Sequence, residues 1–533
     1  MSDPNSTISI RSSELSDPMP DPAPTGPTQP GDLNHQLLTE SVWTDEMVQA
    51  AGIPIVDIPM VSIGGGIGSF ELVDHLRIAG MRTDQLRILT NLDVPWQTYE
   101  YLTKVSQIPR KERLRSDAQS MPDNIWGFPS FAFREAWTDK TLDPIWNVCT
   151  EPVFRDYYTP RAGYVFQTME REAHRISYFD MTVKGQVRMV RRRYGGGYFS
   201  ILTPAQGTSA TKRIAYRSTY VHLSVGYPGV KFLPDLQEYR TKYDDYVRVV
   251  NAYEPHEQVY EELKRRPGLV MIRGGGIVAS RVLQRLIDDR DAYGLQTQIL
   301  HLFRTYVNGS HGPNLFLRRK GGDGWAYQGF NWPKSTWGGR YKHQFEKLEG
   351  EDRKKLYEQL GGTNTPIRKN WMEQLARGRR EGWYRTYVGT VDTVVPGADG
   401  TVVTKVKAND GSLLEVPAHF VIDCTGLEAD IREHRLYADL FDHSGAQRNV
   451  LGRLDTERTF EVRGTQSAPG TIYAAGSMTL GNYFAGIDTF LGLQYAAVRI
   501  MDDLASRGFI AKMGPVRSTT QWLKWARHKE LPK

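Results

Sequence analysis

The apolar residues of this chain fall into short continuous runs that alternate with helix-spaced positions, a pattern typical of strands alternating with helices. The clearest example starts at Ile58, where a largely apolar run ends at Ile63 and gives way to glycines. Apolar residues then recur at helical spacing at Phe70, Leu72, Val73, Leu76 and Ile78. The stretch predicts a strand, a tight turn and a helix, and we call residues 64–69 the first glycine turn.

A second copy of this pattern lies near the middle of the chain. The apolar run Leu269–Ile272 leads into glycines at Gly274, Gly275 and Gly276, and a helical pattern follows through Val282, Leu283, Leu286 and Ile287. We call residues 274–280 the second glycine turn. One glycine-rich turn between a strand and a helix can serve packing alone, but two copies in the same context favour a shared binding function.

Each turn has the spacing of a dinucleotide-binding fingerprint. The first glycine allows the tight turn, the second lets the backbone approach a pyrophosphate, and the third position needs a small residue, a role that Ser69 can fill. The following helix offers free N–H groups and a favourable dipole to the phosphates. The predicted cofactor-binding residues are Gly64, Gly65, Gly66, Gly68 and Ser69 in the first turn, and Gly274, Gly275, Gly276, Ala279 and Ser280 in the second.

The strand after each turn predicts where the ribose of the nucleotide binds. The strand Gln85–Thr90 is followed by Asn91, which can hydrogen-bond a ribose hydroxyl without carrying a charge. The strand Thr297–Phe303 is followed by Arg304. An arginine with no acid beside it suits a 2′-phosphate, so the second site is predicted to prefer NADPH to NADH.

These elements predict an α/β protein with two Rossmann-like dinucleotide-binding domains, small antiparallel sheets and a helical insertion. Pro- and Ser-rich composition predicts that the N-terminal tail is disordered. The predicted divisions are a tail at 1–45, a first part of one nucleotide domain at 46–235, the other nucleotide domain at 236–385 with an insertion at 308–380, a second part of the first domain at 386–510, and a basic tail at 511–533.

Two aromatic segments have two interpretations each. Residues 123–130, with Trp126 and Phe128, and the insertion, with Trp325 and Trp337, could line a pocket for a flat or apolar substrate. They could equally provide the core beneath a long loop or of a small subdomain. The sequence does not separate these alternatives, and it does not specify the substrate.

Composition narrows the function classes. The chain has 40% hydrophobic and 24% charged residues, no bilayer-long apolar run and no signal-peptide pattern, so a cytoplasmic protein is expected. Its only cysteines, Cys149 and Cys424, are far apart, which argues against a dithiol centre and a cysteine metal site. No metal is predicted, because the histidines lack clustered ligand residues. The net charge of +6 suits an anionic cofactor or a membrane surface and does not by itself indicate nucleic acid.

In this order, the motifs resemble those of flavoproteins with two dinucleotide-binding domains, and within them the class B flavin-dependent monooxygenases. The resemblance implies that the first turn binds FAD and the second NADPH, and that the NADPH domain is inserted into a discontinuous FAD domain. Residues 420–426 look like the family strand that ends in Ala-Thr-Gly, which implies cofactor contacts at Thr425 and Gly426. Gly476 and Ser477 look like its flavin-contacting Gly-Asp segment, with serine in place of the aspartate.

The resemblance also implies a reaction. NADPH would reduce the flavin, and molecular oxygen would then form a C4a-peroxyflavin that oxygenates a small organic substrate. The monooxygenase signature Phe-x-Gly-x-x-x-His is matched only loosely by residues 250–256, which makes His256 the candidate catalytic residue.

Two other functions remain open. An NADPH dehydrogenase could pass electrons to a quinone at a membrane, with the basic, tryptophan-bearing segment 521–529 resting on anionic lipid. A flavin-binding scaffold or sensor without turnover would explain the altered ribose, Gly-Asp and signature positions.

Overall fold

The computed structural model describes residues 29–114, 129–153, 158–207, 211–227, 229–312, 318–327, 338–360, 367–427 and 430–533, together with residues 155, 209, 336 and 365. Of the predicted aromatic segments, Trp126, Phe128, Phe330, Trp332 and Trp337 lie outside these residues.

The helices of the described residues are α1 His35–Thr39, α2 Asp45–Ala50, α3 Ile67–Ile78, α4 Gln97–Val105, α5 Ser130–Asp139, α6 Asp143–Thr150, α7 Ala162–Arg175, α8 Pro234–Tyr243, α9 Glu257–Arg265, α10 Ile277–Tyr293, α11 Arg340–Lys347, α12 Gly350–Leu360, α13 Lys369–Glu381, α14 Arg435–His443, α15 Phe490–Ser506 and α16 Pro515–Ala526.

The strands form two large sheets and one short pair. They are β1 Val42–Trp43, β2 Ile55–Asp57, β3 Met60–Ile63, β4 Leu86–Thr90, β5 Thr182–Arg193, β6 Tyr198–Pro204, β7 Ile214–Ser218, β8 Tyr220–Leu223, β9 Val249–Asn251, β10 Leu269–Arg273, β11 Gln298–Phe303, β12 Gly321–Gly322, β13 Trp325–Ala326, β14 Tyr384–Pro396, β15 Val402–Ala408, β16 Leu413–Ala418, β17 Phe420–Asp423 and β18 Thr471–Ala474.

The first sheet is built around the strand that leads into the first glycine turn. Its order is β18-β8-β3-β4-β5-β6-β7-β2, with β1 on β5. The five strands from β18 to β5 are parallel, and the distal part of β5 continues into an antiparallel meander with β6 and β7. Strands β3 and β8 are buried along their whole length and are mainly apolar, as expected for central strands of a parallel sheet.

The second sheet repeats this plan in the order β16-β15-β14-β11-β10-β17-β9. Its five strands from β14 to β9 are parallel, and β14 continues into a meander with β15 and β16. The predicted division at residue 385 is therefore wrong. Strands β14 to β17 complete the second sheet, so residues 386–423 do not belong with the first. The neighbour of a parallel strand is decided by the tertiary fold, and the position of the strand in the sequence does not reveal it.

The insertion connects the two domains. Helices α11 and α12 pack Tyr341, Phe345 and Leu356 into the core of the first domain, whereas α13 packs Trp371 under the second sheet. Trp325 is fully buried, with its ring 4.8 Å from that of Trp371 and 5.7 Å from that of Phe303. In the described part of the insertion, these aromatic residues therefore form core, and the pocket interpretation is not supported for them.

The predicted disorder of the N-terminal tail is wrong for residues 29–45. Helix α1 and strand β1 lie on the first-sheet meander, and Leu37 and Trp43 are fully buried there beside Phe199. These few large apolar residues anchor the segment, although its average composition is polar.

The basic C-terminal tail packs on its own domain. Trp525 of α16 is buried, the Leu531 N–H donates to the Arg175 carbonyl at 3.0 Å, and Lys533 pairs with Asp180 at 2.6 Å. The predicted contact of this tail with a membrane is therefore not supported. Among the helices of the described residues, none is both long and apolar enough to span a bilayer.

Candidate active site

Three of the four glycines in the first glycine turn are closely packed, and the fourth has open space beside it. Gly64 has φ +90°, and a Cβ placed there would lie 2.4 Å from the Ser224 carbonyl oxygen. A Cβ on Gly65 would meet Thr90 at 2.6 Å, and one on Gly68 would meet the Ser224 hydroxyl at 2.2 Å. At Gly66 the space is open within 4 Å. The one open face of the turn is therefore the place where a ligand can approach the backbone.

Helix α3 starts at this open face. Gly66 is its N-cap residue, and no side chain caps the helix. The first N–H groups of an α-helix have no partner within the helix, so they are available to an anionic ligand. The predicted pyrophosphate contacts of the first turn fit this geometry.

Buried side chains hold the first turn from below. The Ser69 hydroxyl lies 2.6 Å from that of Ser62, which in turn lies 3.0 Å from Nδ1 of His222 on β8. The Tyr178 hydroxyl donates to the Gly65 carbonyl at 3.2 Å. Ser69 thus fills the predicted small position and also bonds the helix to the strand. Burial lowers the pKa of His222 to about 3, so its ring is neutral.

Gly476 and Ser477 lie at the same edge of the first sheet. They follow β18, which pairs in parallel with β8, and the Ala475 N–H donates to the Leu223 carbonyl at 3.2 Å. The Ser477 hydroxyl is buried and has no hydrogen-bond partner among the described residues. Because buried hydroxyls are nearly always bonded, this oxygen fits a ligand contact.

Asn91 marks the other end of this edge. It is exposed directly after β4, and its backbone carbonyl accepts from Lys184 at 3.5 Å. Lys184 also pairs with Asp93 at 2.8 Å, which restrains the loop. Asn91 is thus exposed at the position where the ribose contact is predicted.

The second glycine turn has the same form. Gly274 has φ +124°, and a Cβ there would lie 2.6 Å from the Cys424 carbonyl oxygen. Gly276 is the N-cap residue of α10, which again has no side-chain cap. A Cβ on Gly275 would lie 3.6 Å from the Phe303 ring, which is an ordinary contact distance. This turn therefore also ends in uncapped N–H groups that suit phosphate.

A histidine supports the second turn directly. Nε2–H of His301 donates to the Gly274 carbonyl at 2.6 Å, and Nδ1 accepts from the Tyr384 hydroxyl at 2.9 Å. Burial lowers the pKa of His301 to about 3, so the ring stays neutral and keeps this tautomer.

The predicted ligand contact at Ser280 has a different environment. Its hydroxyl donates to the Ile277 carbonyl at 2.7 Å and accepts from Thr365 at 2.7 Å and Arg368 at 2.9 Å. Ser280 thus holds the insertion against α10, while Ala279 is buried as the small residue of the fingerprint.

Thr425 and Gly426 are placed beside the second turn and not the first. They follow β17, whose neighbour is β10, and the Thr425 hydroxyl donates to Asp423 at 2.6 Å. Gly426 has φ +133° and open space where a Cβ would be. The residues at the equivalent edge of the first sheet are Ser224 and Val225, after β8. Any nucleotide contact by Thr425 and Gly426 therefore belongs to the second domain, because their strand pairs there.

Arg304 extends from the carboxyl end of β11 into solvent. It is exposed and forms no ion pair or hydrogen bond within the described ranges. An unpaired guanidinium at this edge fits the predicted 2′-phosphate contact.

Tyrosines from both domains meet around Asp488, which lies two residues before the start of α15. The Tyr227 hydroxyl donates to the Asp488 carboxylate at 3.1 Å. Burial and the Asp488 charge together raise the pKa of Tyr99 to about 12 and that of Tyr227 well above its usual value. Burial likewise raises the pKa of Tyr253, which follows β9 of the second sheet and interacts with Tyr99. We call Tyr99, Tyr227, Tyr253 and Asp488 the interdomain tyrosine cluster.

His256 is buried at the start of α9, with both ring nitrogens engaged. Nδ1–H donates to the Glu254 carbonyl at 2.7 Å, and Nε2 accepts from the Tyr260 hydroxyl at 3.0 Å. Burial lowers its pKa. This geometry holds the chain after β9 in place and leaves no nitrogen free to exchange a proton with a substrate.

The sequence prediction missed His222, His301 and the tyrosine cluster. The two histidines interrupt otherwise apolar strands, which is a usable signal because a buried imidazole needs a specific partner. The tyrosines come from distant segments of the chain, and no local pattern joins them. In the part of the chain that the structure describes, no group of three potential metal ligands occurs.

No protein-family model matches the chain, and no curated protein sequence matches it. Solved structures do. Kutzneria sp. 744 ornithine N-hydroxylase KtzI, solved with reduced FAD, NADP⁺ and L-orn, is 12% identical, with 85% of this chain and 100% of that chain covered at a TM-score of 0.59.

Two further structures are similar. DfoA, the cadaverine monooxygenase of Erwinia amylovora solved with FAD, is 12% identical over 86% of this chain and 98% of that chain, with a TM-score of 0.61. The bacillithiol disulfide reductase Bdr (YpdA) of Bacillus cereus is 14% identical over 85% and 100%, with a TM-score of 0.51. The predicted two-domain fold is therefore confirmed: this chain has the fold of flavoproteins with two nucleotide-binding domains.

Proposed function

We propose that this protein is an FAD-dependent, NADPH-using oxidoreductase that works as a monooxygenase on a small organic molecule. The observation that carries the proposal is the pair of uncapped glycine turns, each at the carboxyl edge of a parallel sheet built in the same order. Open α/β sheets bind nucleotides at this edge.

FAD fits the first turn. Its pyrophosphate would approach the backbone at Gly66, where the space is open, and would accept from the first N–H groups of α3. The buried Ser477 hydroxyl, which has no partner among the described residues, would contact the flavin side of the molecule. Asn91 would meet the ribose.

NADPH fits the second turn. Its pyrophosphate would lie at Gly276 on the N-terminus of α10, and the 2′-phosphate would pair with Arg304. His301 keeps the Gly274 peptide in the required orientation through its 2.6 Å hydrogen bond. Thr425 and Gly426 border the same turn.

The chemistry supplied by the bound cofactors is hydride transfer and the activation of oxygen. The chain itself contributes binding and a shielded cleft between the domains. Tyr99, Tyr227 and Tyr253 keep their protons over the whole neutral range, so they offer O–H donors and aromatic faces to a substrate without adding charge.

Amines are the first substrates to test. KtzI and DfoA are named as an ornithine N-hydroxylase and a cadaverine monooxygenase. In this chain Asp488 adds an exposed carboxylate to the interdomain tyrosine cluster, which would attract a cationic substrate.

The experiment is a set of turnover measurements on protein reconstituted with FAD. Anaerobic NADPH is added first while the oxidised flavin absorbance is followed, and air is then admitted with ornithine, lysine or cadaverine. We expect rapid loss of the absorbance and hydroxylated amine in proportion to the NADPH consumed.

The other results separate the alternative functions. NADPH consumption that yields only hydrogen peroxide would exclude the added amine as the substrate, whereas consumption that passes electrons to a quinone or a disulfide would show a reductase. That alternative has support from the likeness to the bacillithiol disulfide reductase. Bound flavin that NADPH does not reduce would show a scaffold or sensor and would contradict both enzyme functions.

A further inference from the structure

A cavity in the first domain lies away from both glycine turns. It has a volume of about 700 Å³ and is lined by residues of α5, α7 and the C-terminal segment that includes α16. These helices belong to the first domain, and none of the lining residues comes from the carboxyl edge of either sheet. The volume is in the range of small-molecule sites, which is about 300–1,000 Å³.

Two arginines face this cavity from neighbouring helices. Arg134 of α5 is half-buried and donates to the Gln167 side chain at 2.6 Å, and its guanidinium lies 4.5 Å from the Tyr164 ring centroid. Arg171 of α7 is exposed and forms no ion pair within the described ranges. Burial and then the charge of Arg171 lower the pKa of Arg134. Two positively charged side chains, Arg134 and Arg171, therefore line the same cavity.

Among the lining residues that the structure describes, none is an aspartate or glutamate that could compensate the charges of Arg134 and Arg171. Like charges in one cavity repel each other and cost stability unless an anion lies between them. The arginine pair therefore indicates an anionic ligand.

Aromatic rings also line the cavity. Trp522 and Trp525 of α16 line the cavity with ring centroids 6.5 Å apart, and Phe131 of α5 adds a third ring. Tryptophan rings stack on flat apolar groups and provide large contact areas. The C-terminal helix thus supplies a surface for the body of a ligand, while α5 and α7 supply the charge.

We propose that this cavity is a binding site for an aromatic organic anion, such as an arene carboxylate or sulfonate. The anionic group lies between Arg134 and Arg171, and the ring packs on Trp522 and Trp525. The site is separate from the cofactor sites, so the proposal does not depend on the proposed function.

The test uses the dye 1-anilinonaphthalene-8-sulfonate, an aromatic anion, added to the FAD-loaded protein in saturating NADP⁺. Dye fluorescence excited through tryptophan measures binding. We expect saturable binding of one dye that weakens about tenfold in Arg171→Gln, because one charge-assisted contact is lost. The neutral dye N-phenyl-1-naphthylamine should bind the variant and the wild type alike.

Two control variants separate this cavity from other surfaces. Arg380→Gln removes an exposed arginine on α13 and should leave dye binding unchanged. Trp137→Ser removes the 88% exposed tryptophan on the outer face of α5 and should also leave it unchanged. Loss of binding in Trp137→Ser, or equal binding by Arg171→Gln and the wild type, would overturn the proposal.

Competition defines the ligand class. We expect 1-naphthoate to displace the dye and inorganic phosphate to leave it bound at equal concentration. Displacement by phosphate as effective as by naphthoate would show a simple anion site and would overturn the aromatic part of the proposal. A dye that stays bound against naphthoate would place it outside the cavity and would overturn the proposal as well.

Discussion

The two nucleotide domains have the same order of parallel strands, but their far-edge strands come from different parts of the chain. Counted from the far edge, the first sheet reads β18-β8-β3-β4-β5 and the second β9-β17-β10-β11-β14, with the glycine turn after the central strand of each. The far-edge strand of the second sheet precedes its own turn, whereas that of the first sheet arrives from the C-terminal part of the chain. The carboxyl edge of the first sheet, which includes Ser477, is therefore completed by a part of the chain that follows the strands of the second sheet.

The helices after the two turns also differ. On α3 every residue from Ser69 to Ile78 is buried, including Glu71 and Asp74, because α15 and α7 cover it. The C-terminal half of α10 has an exposed face, from Asp288 onward. The first helix is thus enclosed from Ser69 onward, whereas the second is exposed at the end distant from its glycine turn.

The largest effect is expected from alanine at the second glycine of each fingerprint, which is Gly66 in the first turn and Gly276 in the second. Gly66 has φ −76° and Gly276 has φ −89°, which alanine adopts without strain. In Gly66→Ala the added methyl group occupies the space of the pyrophosphate, so FAD affinity should fall at least about 100-fold while NADPH affinity is kept. Gly276→Ala should show the reverse.

Flavin content after purification and NADP⁺ titration measure these two affinities. Each variant is the control for the other. Equal loss of both nucleotides in either variant would contradict the assignment of one cofactor to each turn.

Arg304→Gln should affect only the second site. The loss of an Arg–phosphate contact should raise the KM for NADPH about tenfold. The KM for NADH should not change, because NADH lacks the 2′-phosphate. Initial rates of flavin reduction with both nucleotides test this, and an equal change for NADH would show that Arg304 is a structural residue.

Glu71→Gln should make the first domain more stable at neutral pH. Burial raises the pKa of Glu71 to about 8, with a further contribution from Glu172 and an opposing hydrogen bond from Gln494. Between its unfolded pKa of 4.5 and about 8 the folded carboxyl holds a proton that the unfolded one releases. Stability should therefore fall as pH rises, by up to about 1.4 kcal/mol per pH unit.

Glutamine removes this dependence, so the stability gain of the variant should grow from about pH 5.5 to about pH 7.5. Thermal unfolding measures the gain. Glu358→Gln, at an exposed position of α12, is the matched control and should show no such trend. A gain that does not change with pH would mean that Glu71 is ionised in the folded protein.

The smallest effects are expected from the tyrosines that support the turns. Tyr178→Phe loses the 3.2 Å hydrogen bond to Gly65, and Tyr384→Phe removes the donor to Nδ1 of His301. Each should cost about 1 kcal/mol of nucleotide binding, or about fivefold, at its own turn. Titration of both nucleotides with both variants measures this, and an effect at the opposite turn would show that the domains are coupled.

Much of this protein could be predicted from the sequence. Both strand-turn-helix units and the strands after them lie where the apolar spacing predicts them, because that spacing follows local backbone geometry. The glycine positions were also predictable from local geometry, because Gly64 and Gly274 need a positive φ that other residues avoid.

The division of the chain between the domains was not predictable. Strand β17 and its Thr425 belong to the second sheet, and the tail around Trp43 is ordered, because pairing and burial depend on partners that are distant in sequence. The same holds for His256, which the linear signature marked as catalytic and the structure surrounds with Glu254 and Tyr260.

The sequence by itself determined that this chain has two glycine turns, each between a strand and a helix, and that an arginine follows the strand after the second. The tertiary structure alone decided which edges complete each site, that the interdomain tyrosine cluster gathers around Asp488, and that α16 closes a cavity over Arg134 and Arg171. Local periodicity encodes the elements, whereas the juxtaposition of their ends depends on long-range packing that no stretch of sequence contains.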